Sequence, residues 1–140
     1  MNKDDLYYYA LEGSMLSFDP SSGGVSMPGW ALWSGGELLH SGIIEVPKSK
    51  NVYERYVYIS QWIKEFMPVV NLLAIEQVSK GWRLTKSEGV IVGAVDCDHV
   101  LPVTPRSWQS TLRRHGVEMD KSDENDAIAV GYHAILRGRE

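Results

Sequence analysis

Three stretches of the chain place carboxylates where other chemistry is expected. In KSDENDAIAVGYHAIL (121–136), Asp123 and Asp126 lie three residues apart, so on a helix both leave one face a turn apart. SMLSFD (14–19) is an apolar run that ends on Asp19, and NLLAIEQV (71–78) is a buried-type strand with Glu76 near its end. Two of these have plain structural explanations. Acids gather in a helix's first turn because its free N–H groups and dipole favour negative charge, and Asp19 before Pro20 can open an Asx turn. Glu76 is different. An unpaired carboxylate on a hydrocarbon strand costs on the order of several kcal/mol, and no Lys or Arg follows it closely before Lys80. A metal ion would satisfy it. Asp19, Glu76, Asp123 and Asp126 together are oxygen donors of the kind that suits hard divalent ions, Mg2+ or Mn2+. Two such ions roughly 4 Å apart can activate a water and stabilise the leaving oxygen of a phosphodiester. The expected chemistry is hydrolysis by metal-activated water, without a covalent intermediate and without a serine or tyrosine nucleophile.

Residues so far apart in sequence need a scaffold that gathers them. Strands are expected at 14–19, 30–34 and 37–46, the last two joined by Gly35-Gly36 as a tight hairpin. From Asn51 to about Met67, Val52, Tyr56, Ile59, Ile63 and Phe66 mark one face of an amphipathic helix that Pro68 helps end. A strand at 71–78 follows, then a helix over 84–95 whose Val-Ile-Val is ambiguous with a strand, and a short strand at 99–103. Pro105 opens a helix through Leu112, and a last helix runs from about Ser122 to Leu136. The first 13 residues read as an extension leading into the domain, with Tyr7, Tyr8 and Tyr9 covering a sheet edge. A hairpin meander followed by alternating helices and strands implies an α/β fold, a mixed sheet with helices on its faces. Active sites of open α/β sheets lie beyond the carboxyl ends of strands, where Asp19 and Glu76 would stand.

The totals fit one domain over residues 1–140, and 44% hydrophobic with 23% charged residues is ordinary for a soluble globular chain. No apolar run is long enough to span a bilayer, so no membrane partner is expected. Cys97 is the only cysteine, which excludes an internal disulfide and argues against a Cys-based zinc site. A reducing, cytoplasmic setting is expected. The net charge of −4 is not that of a strongly basic nucleic-acid binder, but two bound divalent ions would cancel it.

With these residues in place, the chain resembles the RuvC-like Holliday junction resolvases of the ribonuclease H superfamily. The resemblance is carried by FDPSS followed by GWALW (18–22 and 29–33), by AIEQV (74–78) and by DENDAIA (123–129), and it covers about residues 14–137. It implies a ribonuclease H-like fold, a five-stranded mixed sheet flanked by helices. It also implies a homodimer acting on four-way DNA junctions in recombination and repair, with Asp19, Glu76, Asp123 and Asp126 as the metal-binding carboxylates. The compact form resembles that of bacteriophage members, which places the protein in a bacterial cell or in the cytoplasm of a phage host.

Candidate DNA contacts lie in two places. SKGWRLTK (79–86) puts Lys80, Arg83 and Lys86 around Trp82, a mixture suited to a DNA backbone beside an unstacked base. Where the family carries lysines, this chain offers Arg106, Arg113, Arg114 and Lys121 as phosphate contacts; a solvated basic face explains the same residues. The helix at 84–95 is the expected dimer surface, although a core face gives the same pattern. His133 is too far along its helix from Asp126 to share a metal, and reads as a packing or surface residue. Trp108 reads as core or interface. Two alternative functions stay open: a nuclease of the same fold acting on flaps or forks, and a non-catalytic binder of DNA structures. An actin-like kinase reading of DPSSGG (19–24) needs two lobes, and 140 residues supply one.

Overall fold

The structure, a computed structural model, describes residues 2–20, 27–48, 51–77 and 82–140, without the side chains of residue 3 and residues 82–85. In chain order the elements are α1 (Lys3–Glu12), β1 (Ser14–Asp19), β2 (Gly29–Ser34), β3 (Glu37–Ile43), α2 (Val52–Phe66), β4 (Val70–Glu76), α3 (Trp82–Ala94), β5 (Cys97–Val103), α4 (Pro105–Arg114) and α5 (Asp123–Arg139).

Local chemistry sets most of the boundaries. Asn51 caps α2 in a reciprocal box with Glu54, Thr104 caps α4 with Pro105 just inside it, and Ser122 accepts from the Asn125 N–H at the start of α5. Gly35 and Gly36 both take positive φ, 57° and 80°, the geometry that a two-residue hairpin turn between twisted strands requires. The ambiguous Val90-Ile91-Val92 resolves as helix, with Ile91 fully buried. Several edges differ from expectation, among them α3, which begins at Trp82, and α4, which continues to Arg114. β3 stops at Ile43, although Ile44 and Val46 remain buried; β5 begins two residues early at Cys97; and α5 continues to Arg139. The first dozen residues are also more than an extension. They form α1, opened by an Asn2–Asp5 capping box, with Ala10 fully buried and Tyr7 in the core. Tyr9 does cover the sheet edge, its ring 4.9 Å from that of His99 on β5.

The strands form one sheet in the order β3-β2-β1-β4-β5. β1 runs antiparallel to β2 and parallel to β4, and β5 is parallel to β4. This is the expected five-stranded mixed sheet flanked by helices. Alternation along the strands sorts the core into two layers. Leu16, Phe18, Leu73 and Ile75 face α2 and α3, where Ile59, Ile63 and Ile91 meet them. Met15, Leu72 and Ala74 face the other side, against Val130 and Ala134 of α5. That parity decides the position of the strand-end acids. Asp19 follows Met15 and Ser17, and Glu76 follows Leu72 and Ala74, so both carboxylates leave the α5 face. Ser17 pairs with Ala74 across the parallel strands, so the two acids lie two residues further on along neighbouring strands.

Candidate active site

α5 is held against the sheet by a short set of specific contacts. The Ser17 hydroxyl donates to the Ala127 carbonyl at 2.7 Å and accepts from the Trp33 indole N–H at 2.9 Å, so a buried polar residue is fully used. Gly131 leaves room for that indole, because a Cβ there would overlap it. At the N-terminal end of α5 the approach is closer still. A Cβ on Gly29 would collide with the backbone carbonyl of Asp123, so only glycine lets β2 and the first turn of α5 come together. Ser41 donates to Glu124 at 2.6 Å, and the Met27 N–H donates to Asp123 at 3.3 Å.

The result is a gathering of carboxylates at the carboxyl ends of β1 and β4. Asp19 is only 8% exposed. Burial raises its carboxyl to about 9, reinforced by the charges of Glu76, Asp126 and Asp123 and by a hydrogen bond to Asp123. Glu76 is also raised, first by burial and further by Asp126 and Asp123, while a hydrogen bond from Trp108 opposes the rise. Asp126 is raised by burial and by Asp123, with Lys121 pulling the other way. Asp19, Glu76 and Asp126 are thus each raised by burial and by neighbouring carboxylates.

This donor set suits Mg2+ or Mn2+. Its donors are oxygens, no cationic side chain among the described residues offsets the burial of Asp19, and its charges repel. Among the described residues no three His, Cys, Asp or Glu side chains are grouped closely enough to hold an ion as they stand.

Two solved structures share this architecture. RuvC of Thermus thermophilus superposes with a TM-score of 0.62, covering 90% of this chain and 95% of its own at 16% identity. Thermus thermophilus RuvC in complex with Holliday junction substrate gives 0.58, covering 90% and 94% at 17% identity. The chain has the RuvC fold. No family model matches it, and no curated protein matches it by sequence. At these identities the likeness is one of fold, the ribonuclease H-like fold expected from the sequence.

On this RuvC fold the basic candidates separate into groups. Lys80 lies outside the described residues, as do the side chains of Trp82 and Arg83, whose backbone begins α3. Lys86 is exposed on α3. Arg113 and Lys121 line a cavity of about 590 Å³ between α4 and α5 that also includes Glu76 and Asp126. Arg106 and Arg114 occupy a different face of α4, lining a second cavity with Tyr7 and His133. Arg114 is engaged there, donating to Glu140 at 2.7 Å and helping hold that exposed carboxylate down at about 2. His133 is buried and shares a 2.8 Å hydrogen bond with Thr111, the packing role expected of it.

Trp108 is the site residue that sequence reasoning missed. Its indole Nε1 donates to Glu76 Oε2 at 3.3 Å. A tryptophan near the start of a helix reads as core; its proximity to an acid 32 residues earlier emerges only once β5 and α4 are in place.

Proposed function

We propose that the protein is a metal-dependent endodeoxyribonuclease that resolves four-way DNA junctions by paired phosphodiester hydrolysis. The observation that supports this is that Asp19, at the carboxyl end of β1 beside parallel β4, lies within reach of the charges of Glu76, Asp126 and Asp123 on a RuvC fold. A solved neighbour of the same fold is RuvC in complex with Holliday junction substrate, which supports branched DNA as the partner.

Bound Mg2+ or Mn2+ would supply the attacking hydroxide and neutralise charge building on the leaving oxygen. The chain's own residues have distinct tasks. Asp19 and Glu76 would hold the ions from the strands, and Asp123 and Asp126 from the first turn of α5. Trp108 holds one oxygen of Glu76, so the carboxylate keeps a single orientation. Lys121, close enough to influence Asp126, and Arg113 offer positive charge to the phosphate backbone beside the acids.

A homodimer completes the proposal, because two equivalent sites related by a two-fold axis match two strands related by the same symmetry. Its surface is the outer side of α2 and α3. There Tyr53 and Val57 are exposed, and Gly89 and Gly93 leave open space above the helix backbone. The setting would be the cytoplasm of a bacterial or phage-infected cell.

The deciding experiment offers labelled four-way, flap, fork and linear duplex DNA, with Mg2+, with Mn2+ or with chelator. Symmetric nicks confined to the four-way substrate and dependent on the metal are expected. Equal cutting of flaps and forks would replace junction resolution with a broader branch nuclease. Tight junction binding with no cutting under either metal would leave only a structural binder.

A further inference from the structure

We infer that the cavity between α4 and α5 receives a nucleobase lifted out of the strand that lies across the acids. This rests on the nuclease reading and adds a subsite to it. The cavity, about 590 Å³, falls in the range of sites that take small organic ligands. Its lining joins two kinds of surface. Glu76 and Asp126 stand at one side, so anything held in the cavity adjoins the reacting phosphate. Trp108, Leu112 and Met119 supply an aromatic and apolar wall.

Trp108 connects the two. Its indole N–H is committed to Glu76, and its partly buried ring, packed against the core on one side, lines the cavity with what remains exposed. A flat, uncharged, hydrogen-bonding group is the chemistry that fits. A bare phosphate could meet Arg113 and Lys121 but would leave the indole and the apolar wall unused, and a purely aliphatic group would leave the amide of Gln109 unused. An unstacked base satisfies all three surfaces: its face on the indole, its edge toward the amide, and its own phosphate beside the metal-binding acids.

The test maps the cleavage position on a four-way junction and then removes the base, one at a time, from the nucleotides flanking it. At one flanking nucleotide, base removal is expected to slow single-turnover cleavage by the wild-type protein about tenfold or more. Trp108→Ala is expected to slow cleavage of the intact junction comparably, and to lose sensitivity to base removal at that nucleotide alone. Trp108→Phe keeps a ring without the N–H and remains sensitive, which separates holding the base from holding Glu76. A second readout does not depend on folding of a variant. 2-Aminopurine at that nucleotide, with wild-type protein and Ca2+ in place of Mg2+, is expected to change emission on binding, whereas the same probe in a distal arm stays constant. Multiplicative effects of Trp108→Ala and base removal at every flanking nucleotide, or an unchanged 2-aminopurine signal, would overturn the subsite and leave the nuclease intact. Failure to cut any branched DNA would overturn both.

Discussion

Asp19 makes the sharpest residue-level predictions. Its folded carboxyl titrates near 9 against an ordinary 3.8, chiefly because it is buried. Below about pH 4 it is neutral both folded and unfolded, so burial carries no charge penalty. As pH climbs, the unfolded chain gains by ionising while the folded protein must keep the proton, so stability declines progressively until about pH 9. In the metal-free protein, Asp19→Asn is therefore expected to raise the melting temperature at pH 8 and to flatten its fall between pH 5 and 8. Mg2+ should stabilise the wild type more than the variant. A variant that melts with the same pH slope as the wild type would remove burial of Asp19 as the cause. Asp126→Asn keeps size and removes charge; it is expected to reduce cleavage by about 100-fold or more while leaving junction binding in chelator intact. Cleavage at the wild-type rate would take Asp126 out of the site.

Between elements, the decisive contact is the approach of α5 to β2 over Gly29. A methyl group there meets backbone rather than a yielding side chain, so Gly29→Ala must push the first turn of α5 away from the sheet. The expected cost is about 1–3 kcal/mol, with a larger loss of Mg2+ affinity than of stability, read by thermal melts with and without the ion. Unchanged Mg2+ affinity would show that Asp123 and Asp126 tolerate the shift. The same elements explain what the sequence disclosed. Caps at Asn51, Thr104 and Ser122, the Gly35-Gly36 turn and the spacing of Ile59 and Ile63 are local signals, so α2, α4, α5 and the hairpin could be read directly. α1 could not, because KDDLYYYALE has little apolar periodicity, and its place is fixed by Ala10 and Tyr7 packing in the core beside α5. The acids were legible for the opposite reason: Glu76 stood out against a hydrocarbon strand. Trp108 did not stand out, since its meaning lies in a neighbour brought from another element.

For the molecule as a whole, the proposed paired cuts require two copies of the proposed site. The outer face of α2 and α3 presents exposed Val57 and Val92 in a region where Gly89 and Gly93 carry no side chain. Val57→Glu places charge on that face without touching the acid cluster, which lies on the opposite side of the sheet. The expected result is a monomer by sedimentation that still nicks but no longer makes paired cuts within one binding event. A variant that remains dimeric would move the interface elsewhere. The two-layer core separates the two surfaces that the proposal uses: the acids lie on the layer with α5, and the proposed dimer face lies on the layer with α2 and α3. Among the described residues no helix is long and apolar enough to cross a membrane.

Burial keeps a proton on the Asp19 carboxyl far above the ordinary range, and an ion bound as proposed would have to displace it. Loading the site near neutral pH is thus an acid-releasing event, of about one proton per protein molecule. Calorimetric titrations of Mg2+ in buffers of different ionisation enthalpy should give heats that differ accordingly, and a weakly buffered sample should acidify as it fills. Identical heats in every buffer would mean that Asp19 had already surrendered its proton to solvent.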